Sequence, residues 1–449
     1  MKESALIQPS LRTYDLTMIV MGLVIGMGIF STPSEVAKHS GQQDIFFSAW
    51  IVGGIISMLG AMIFAEIGSR YPHAGGFYKL FSYCYHPAFA FMVNWITVIS
   101  NAASTALVAL MGATYLAPLI CPELESGKTI ISLFAVFLLF FINLAGIRMS
   151  STLLNVLMFI KIALLAVIIS SIFIAPAHSE VLYMQNKIPL FSSEWINAFT
   201  LCFIPVFFTY GGYQQTMNFG NDIKNAGNKF PRAILYGMIA VLVIYLLVNY
   251  AYVNTLSFRE LILTKTPASD ITRILFGEQT HYIVSLIMFL SVMAYVNVSM
   301  MSNPRVYYAM AEDGVMPPIF MRVNSQTQVQ KFALILFTSI ILITLLFVGS
   351  FENLLKYVMF FDSIGFMAAA GSIFIFRKKN KQQGIHYSMP GYPLLPILFV
   401  TIYAVITITI FINSPSTAGI GFLLFCAGFP IYLLIQRIIN NKKTIQQKN

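Results

Sequence analysis

Two glycines one residue apart stand in the middle of the first long apolar stretch. Residues Met18 to Val36 read MIVMGLVIGMGIFSTPSEV, with Gly22, Gly26 and Gly28 inside the run and Pro33 beyond it. Each glycine costs a helix about 1 kcal/mol relative to alanine. Irregular backbone at membrane depth is tolerated only where protein or a water-filled cavity surrounds it. Gly26-Met27-Gly28-Ile29-Phe30 is therefore the first candidate binding segment, because bare amides and carbonyls there can hold a small charged molecule. A second glycine-broken centre follows at Phe208-Thr209-Tyr210-Gly211-Gly212-Tyr213. The plainer reading of Gly211 and Gly212 is close helix packing.

Three charged residues call for an explanation. Lys161 lies in LLNVLMFIKIALLAVII with apolar residues on both sides. A lysine at the centre of a spanning helix costs at least ~2.5 kcal/mol to insert. It is expected to face the interior and to bind backbone carbonyls freed by an unwound helix, as a fixed cation or as a proton carrier. The alternative is a lysine that snorkels to the interface. Asp362, in LLKYVMFFDSIGFMAAAG, reads either as a gating or coupling carboxylate or as a hydrated residue at a cavity mouth. Glu66 sits four residues before Arg70, the spacing of a structural ion pair. Asn94, Asn101, Asn249 and Asn297 interrupt apolar runs and are expected mainly to link helices. Tyr245, Asn249 and Tyr252 share one helical face, a candidate cavity lining.

These residues need a membrane around them. The chain of 449 residues is 57% hydrophobic and 10% charged, with a mean hydropathy of +0.76. Soluble domains carry about 25% charged residues. A polytopic membrane protein is expected, with no cleavable signal peptide in the polar start MKESALIQPSLRTYDLT. The net charge of +10 reflects basic cytoplasmic loops rather than a nucleic-acid partner. Cys84, Cys121, Cys202 and Cys426 share no metal-ligand spacing, and the six histidines are scattered. No phosphate-binding loop occurs, and the GMG and GGY glycines follow no strand. No enzyme site, metal or cofactor is expected.

Apolar runs of ~20 residues mark twelve spans: 15–38, 45–69, 86–118, 129–146, 151–175, 196–219, 231–254, 280–310, 331–350, 353–376, 393–412 and 416–438. With the N-terminus inside, only Lys38, Lys128, Lys187, Arg259, Lys265, Arg273 and Lys356 of the 27 Lys and Arg residues fall outside. Lys161 lies within a span; the rest, including the run Arg377 to Lys381, fall inside. This bias puts both termini in the cytoplasm of a multi-pass protein. Breaks in spans 1 and 6 suggest two five-span repeats of opposite topology, 15–175 and 196–376. Accessory helices at 393–438 and tails at 1–14 and 439–449 complete the division.

Taken in order, the motifs resemble one family. GMGIFSTP is similar to the G-S-G-I-F segment of the amino acid, polyamine and organocation transporter superfamily. AEIGSRYPHAGGFYKLF resembles its P-x-(S/A)-G-G-x-Y signature. FTYGGYQQTMNFGNDIKNAGNKFPRAI resembles the F-A-Y-G-G-W…P-R-A-I stretch of the L-type amino acid transporter branch. IYLLVNYAY, SNPRVYYAMAEDGVMPP and Lys161 also match.

The resemblance implies an all-α LeuT-type fold and amino acid transport by alternating access, independent of sodium, as an exchanger or proton-coupled symporter. It places the substrate carboxylate on the amides of Gly26 to Ile29. It places the substrate ammonium on carbonyls around Val24, Ile25, Phe208 and Thr209, with Tyr210, Gly211 and Tyr213 nearby. Phe208 matches the family's gating aromatic, and Tyr245 a tyrosine near the lysine. Met27, Tyr213, Asn221-Asp222 and Ala226 depart from the pattern; the first two bear on the substrate side-chain pocket. In animal members of the branch, a cysteine after span 3 pairs with a glycoprotein. Cys121 is near that place, but the short loops resemble bacterial members that work alone. No carboxylate falls at the centre of spans 1, 3, 6 or 8, which favours neutral amino acids. The alternatives are a cationic amino acid or polyamine carrier that uses Asp362, and a transporter-like sensor.

Overall fold

The computed structural model describes residues 12–71, 73, 75–122, 124, 126–174, 188–223, 225–277, 281–347, 351–379, 387–413 and 415–448. Lys2, Lys187, Lys224 and Lys381, part of the charge argument, lie outside the described residues. The first span is two helices, α1 (Thr13–Val24) and α2 (Gly28–Ser40), separated by Ile25, Gly26 and Met27. Then come α3 (Gln43–Arg70), short α4 (Gly76–Cys84), α5 (Pro87–Ile120), α6 (Gly127–Ala145) and α7 (Ile147–Ile174). The sixth span begins as α8 (Ser193–Tyr210), breaks at Gly211-Gly212 and continues as a 3-10 segment, Tyr213–Asp222. Next are α9 (Ala226–Leu256), two short helices α10 (Phe258–Leu263) and α11 (Pro267–Phe276), and α12 (His281–Ser302). The chain ends with α13 (Pro304–Glu312), α14 (Lys331–Phe347), α15 (Phe351–Lys379), α16 (Leu394–Asn413) and α17 (Pro415–Lys448).

Eleven helices among the described residues are long and apolar enough to cross a membrane. The run expected as a ninth span, 331–350, is a shorter apolar helix of 17 residues in its described part. At 1.5 Å per residue it measures about 26 Å, short of the ~30 Å hydrocarbon core. The outer surface is apolar. Phe134, Phe159, Phe173 and Leu346 are each more than 60% exposed, as lipid-facing residues are. On α7, Lys161 lies close in sequence to exposed Phe159 yet is itself fully buried, so the snorkelling reading fails.

Packing divides the spans into two groups. Helices α1, α2, α3, α8 and α9 contact one another, while α5, α6, α12 and α14 form a second set. α7 touches both α9 and α12, and α15 packs on α5, α3 and α16. The broken spans lie side by side in opposite directions: α2 packs on α8, and α1 on the 3-10 segment.

One end of the bundle carries a buried carboxylate clamp. Glu66, fully buried at the end of α3, accepts from Arg70 Nε at 2.8 Å, from Arg377 Nε and Nη2 at 2.9 and 2.7 Å, and from the Met389 amide at 2.8 Å. The pair with Arg70 was legible; Arg377, 311 residues away, was not. The clamp ties α3, the end of α15 and the strand of chain that leads into α16. Removing one member of a buried ionic set leaves uncompensated charge. Glu66→Leu is therefore expected to destabilise the protein by about 3–5 kcal/mol, measured as a lower midpoint of thermal unfolding in detergent. An unchanged midpoint would remove the clamp from the account.

Candidate functional site

Ile25, Gly26 and Met27 leave the helix together. The Gly26 amide turns back to the Val24 carbonyl at 2.7 Å, and Phe30 N bonds Met27 O at 3.0 Å. The amides of Met27, Gly28 and Ile29 make no bond of this kind, as expected for the first turn of a helix. They stand at the positive end of the α2 dipole.

The released carbonyls are held by side chains from two other helices. The Lys161 ammonium on α7 donates to the Ile25 carbonyl. The Tyr245 hydroxyl on α9 shares its proton between Val24 O at 3.0 Å and Thr209 O at 3.2 Å, so one side chain bridges both breaks. Thr32 and Thr209 hydroxyls meet at 2.6 Å, joining α2 to α8. The carbonyls expected to face an ammonium are thus already engaged at Val24, Ile25 and Thr209. Phe208 O accepts from the Gly211 amide at 3.3 Å. The Gly26 carbonyl carries no such bond.

Two glycines permit this approach. At Gly212, φ is 110° and a Cβ would strike the Leu23 carbonyl oxygen. At Gly28 a Cβ would come within 2.7 Å of Thr209 Oγ1 and 3.0 Å of its Cα.

A cavity of about 570 Å³, counting its opening to solvent, lies between the two helix groups at the level of the breaks. Gly26, Met27 and Gly28 line one end. Phe208, Thr209 and Gly211 line it from the second break, Asn101 and Ser104 from α5, Tyr295 from α12, and Asp362 from α15. Ile25, Ile29, Tyr210, Tyr213, Lys161 and Tyr245 do not line it. Tyr210 turns to Trp50, bonding its carbonyl at 3.3 Å, and Tyr213 packs between Phe64 and Phe366 at 5.8 and 5.7 Å.

The other cavity-lining expectation also changes. Asn249 and Tyr252 are buried away from the cavity, and Asn249 bonds its own helix at Tyr245 O, as Asn94 bonds Ala90 O. Asn297 does link helices, to Asn143 and to Ser150 O. Gln214, Gln215 and Tyr295 were not singled out as lining residues, although two adjacent glutamines at membrane depth are themselves a signal.

From the cavity to the end of the bundle that carries Glu66, the 3-10 segment is tied to its neighbours by polar bonds. Gln215 Nε2 donates to Asn101 at 3.3 Å, Asn218 Nδ2 to Ser302 at 2.8 Å, and Arg305 holds Asp222 at 2.9 and 3.2 Å. Beyond them Lys79 pairs with Glu312 and Asp313 at 2.7 and 2.6 Å.

Comparison with known proteins gives the following. A family model described as amino acid permease matches residues 11–435. The chain is 27% identical over 428 residues to the large neutral amino acids transporter small subunit 2 of Mus musculus, covering 93% of this chain and 79% of that protein. It is also 27% identical over 423 residues to the serine/threonine exchanger SteT of Bacillus subtilis (strain 168), covering 92% and 94%. To the Asc-type amino acid transporter 1 of Mus musculus it is 22% identical over 426 residues, covering 93% and 79%.

Two glycine substitutions separate backbone need from proximity. At Gly26 an added Cβ meets only the Tyr295 ring, at 3.5 Å, so Gly26→Ala is expected to keep the protein folded. Gly212→Ala combines positive φ with a backbone collision, and about 1–3 kcal/mol of strain is expected from the conformation alone. Monodispersity and thermal midpoint in detergent should fall for the second variant and not the first. The reverse order would exclude the described packing of the two breaks.

Proposed function

The chain belongs to the amino acid permease family, and we propose that it is a secondary transporter of neutral amino acids working by alternating access. The observation that carries this reading is the unequal treatment of the two breaks' backbone groups. Carbonyls at Val24, Ile25 and Thr209 have protein donors. Among the described residues the amides at Met27, Gly28 and Ile29 have no protein acceptor. An α-carboxylate suits those amides and the dipole behind them. The Gly26 carbonyl is a ready acceptor for the α-ammonium, and Phe208 is a candidate gate over the bound molecule.

Lys161 supports sodium independence. It brings a positive charge to a released carbonyl, the place where a transporter of broken-helix design otherwise coordinates a cation. Transport then runs by exchange or with a proton. The two five-span repeats, 15–175 and 196–376, would supply the opposed halves that rock about the cavity. The polar ties around the 3-10 segment correspond to a state closed towards the cytoplasm, with both termini on that side of the cell membrane. The reading needs no disulfide-linked partner, since Cys121 sits in a short connection between α5 and α6.

Counterflow in proteoliposomes with each of the twenty amino acids tests the reading. Accumulation of labelled neutral amino acids above empty vesicles, with no sodium present, is expected; none under any imposed gradient would end it. Lys161→Ala should slow counterflow by about tenfold or more, the worth of a bond from a charged donor. A Lys161→Ala rate equal to that of the unaltered chain would remove Lys161 from the mechanism.

A further inference from the structure

Another cavity, of about 290 Å³ counting its opening, lies within the second helix group. Asn143 reaches it from the end of α6, and Ile147 and Ser150 from the start of α7. Met301 and Arg305 line it where α12 passes into α13, and Gln330 stands just before α14. All of these elements end or begin on the side that carries the Arg305 tie to Asp222. The chain before α14 is fastened over the link from α6 to α7 by the Ile147 amide, which donates to Thr327 O at 3.1 Å.

Two of the lining side chains are buried with donors to spare. Arg305 is 4% exposed. Its Nε and Nη2 bond Asp222, its Nη1 bonds Met301 O, and its face lies 4.5 Å from the centre of the Phe219 ring. A guanidinium carries five N–H groups; three are used and two are left. Gln330 is also 4% exposed, and among the described residues its side-chain amide has no hydrogen bond. The remaining donors are spent. Asn143 Nδ2 bonds Leu139 O and Asn297 Oδ1, and Ser150 Oγ bonds Gly146 O. Buried polar groups in native proteins are generally satisfied, so this cavity calls for a ligand rich in acceptors.

Charge at the rim points the same way. Arg148 follows Ile147, Lys331 follows Gln330, and both are exposed. Among the described residues neither makes an ion pair. Residues 128–174 and 314–347 contain no Asp or Glu. Asp222 is already held by Arg305, and Glu312 and Asp313 by Lys79. Basic pockets between spanning helices on the cytoplasmic side suit anionic lipid head groups. We propose that this cavity binds the phosphate of an anionic phospholipid, with Gln330 and the two spare N–H groups of Arg305 as donors and Arg148 and Lys331 as rim charges. The inference goes beyond the transport reading and shares with it only the placement of this end in the cytoplasm. Arg305 also holds Asp222, so a bound lipid reaches the 3-10 segment through one side chain.

The test titrates three probes separately into the full chain in detergent: phosphatidylglycerol, phosphatidylcholine with the same acyl chains, and inorganic phosphate. The thermal midpoint is the readout, because a ligand of the folded state raises it. Phosphatidylglycerol should raise the midpoint and the other two should not. Gln330→Leu should weaken the apparent affinity for phosphatidylglycerol about tenfold, the worth of a hydrogen bond to a charged group. Arg148→Gln and Lys331→Gln should each weaken it about fivefold. Both rim residues are exposed, so these variants decide the matter if Gln330→Leu fails to fold. An equal rise with phosphatidylcholine would overturn the inference. So would a phosphatidylglycerol rise unchanged by Gln330→Leu or by the rim substitutions. A rise with inorganic phosphate equal to that with the lipid would assign the site to a free anion and overturn the lipid. None of these outcomes bears on the transport reading, which counterflow tests by itself.

Discussion

A helix that stops at membrane depth releases backbone groups that lipid cannot satisfy, and the site follows from how this chain divides them. Its side chains supply donors: the Lys161 ammonium on Ile25 O, and the Tyr245 hydroxyl on Val24 O and Thr209 O. Among the described residues no acidic side chain caps the α2 amides. A carboxylate of the protein's own would fill that position permanently. On the proposed reading, the N-terminus of α2 is where the substrate carboxylate binds. The carbonyls of Val24, Ile25 and Thr209 thus have donors from the protein, while among the described residues the first α2 amides have no acceptor.

Close approach of the two breaks makes this division cooperative. Gly212 lies against the Leu23 carbonyl and Gly28 against Thr209, so neither break is free to relax without the other. Tyr245 reads both at once. A displacement of α9 would therefore move the carbonyls of both broken spans together.

Both breaks were legible in the sequence because paired glycines violate helix propensity with no compensating gain in a lipid-facing helix. Lys161 was legible because a charge inside an apolar run has few explanations. The lining contributed by α5 was not. Asn101 and Ser104 read equally well as helix-to-helix links, and spacing alone does not separate a link from a lining. Tyr213 was misplaced for a geometric reason. Beyond Gly212 the chain continues at three residues per turn rather than 3.6, which points Gln214 and Gln215 to the cavity and carries Tyr213 round to Phe64. The tie of Asp222 to Arg305 spans 83 positions and follows no local rule. The short helices α4, α10 and α11 escaped because runs of ten residues or fewer carry too little periodicity.

The polar ties at the Glu66 end differ in what they join. Asp222 and Arg305 connect the 3-10 segment to α13, which continues α12 of the other helix group. Asn218 and Ser302, and Gln215 and Asn101, also cross between the groups. Of these ties, Asp222–Arg305 is a buried ion pair in which Arg305 also bonds Met301 O and stacks on Phe219. Glu66 instead joins α3 to α15 and to Met389, with four donors converging on one carboxylate. Breaking it would strand a buried charge against two guanidinium groups, at a cost that one cycle cannot recover from a small ligand. The ladder along the 3-10 segment thus joins the two helix groups, whereas the Glu66 clamp joins α3 to α15. Four donors from two helices and the chain before α16 converge on Glu66, so the relation of α3 to α15 rests on one buried carboxylate.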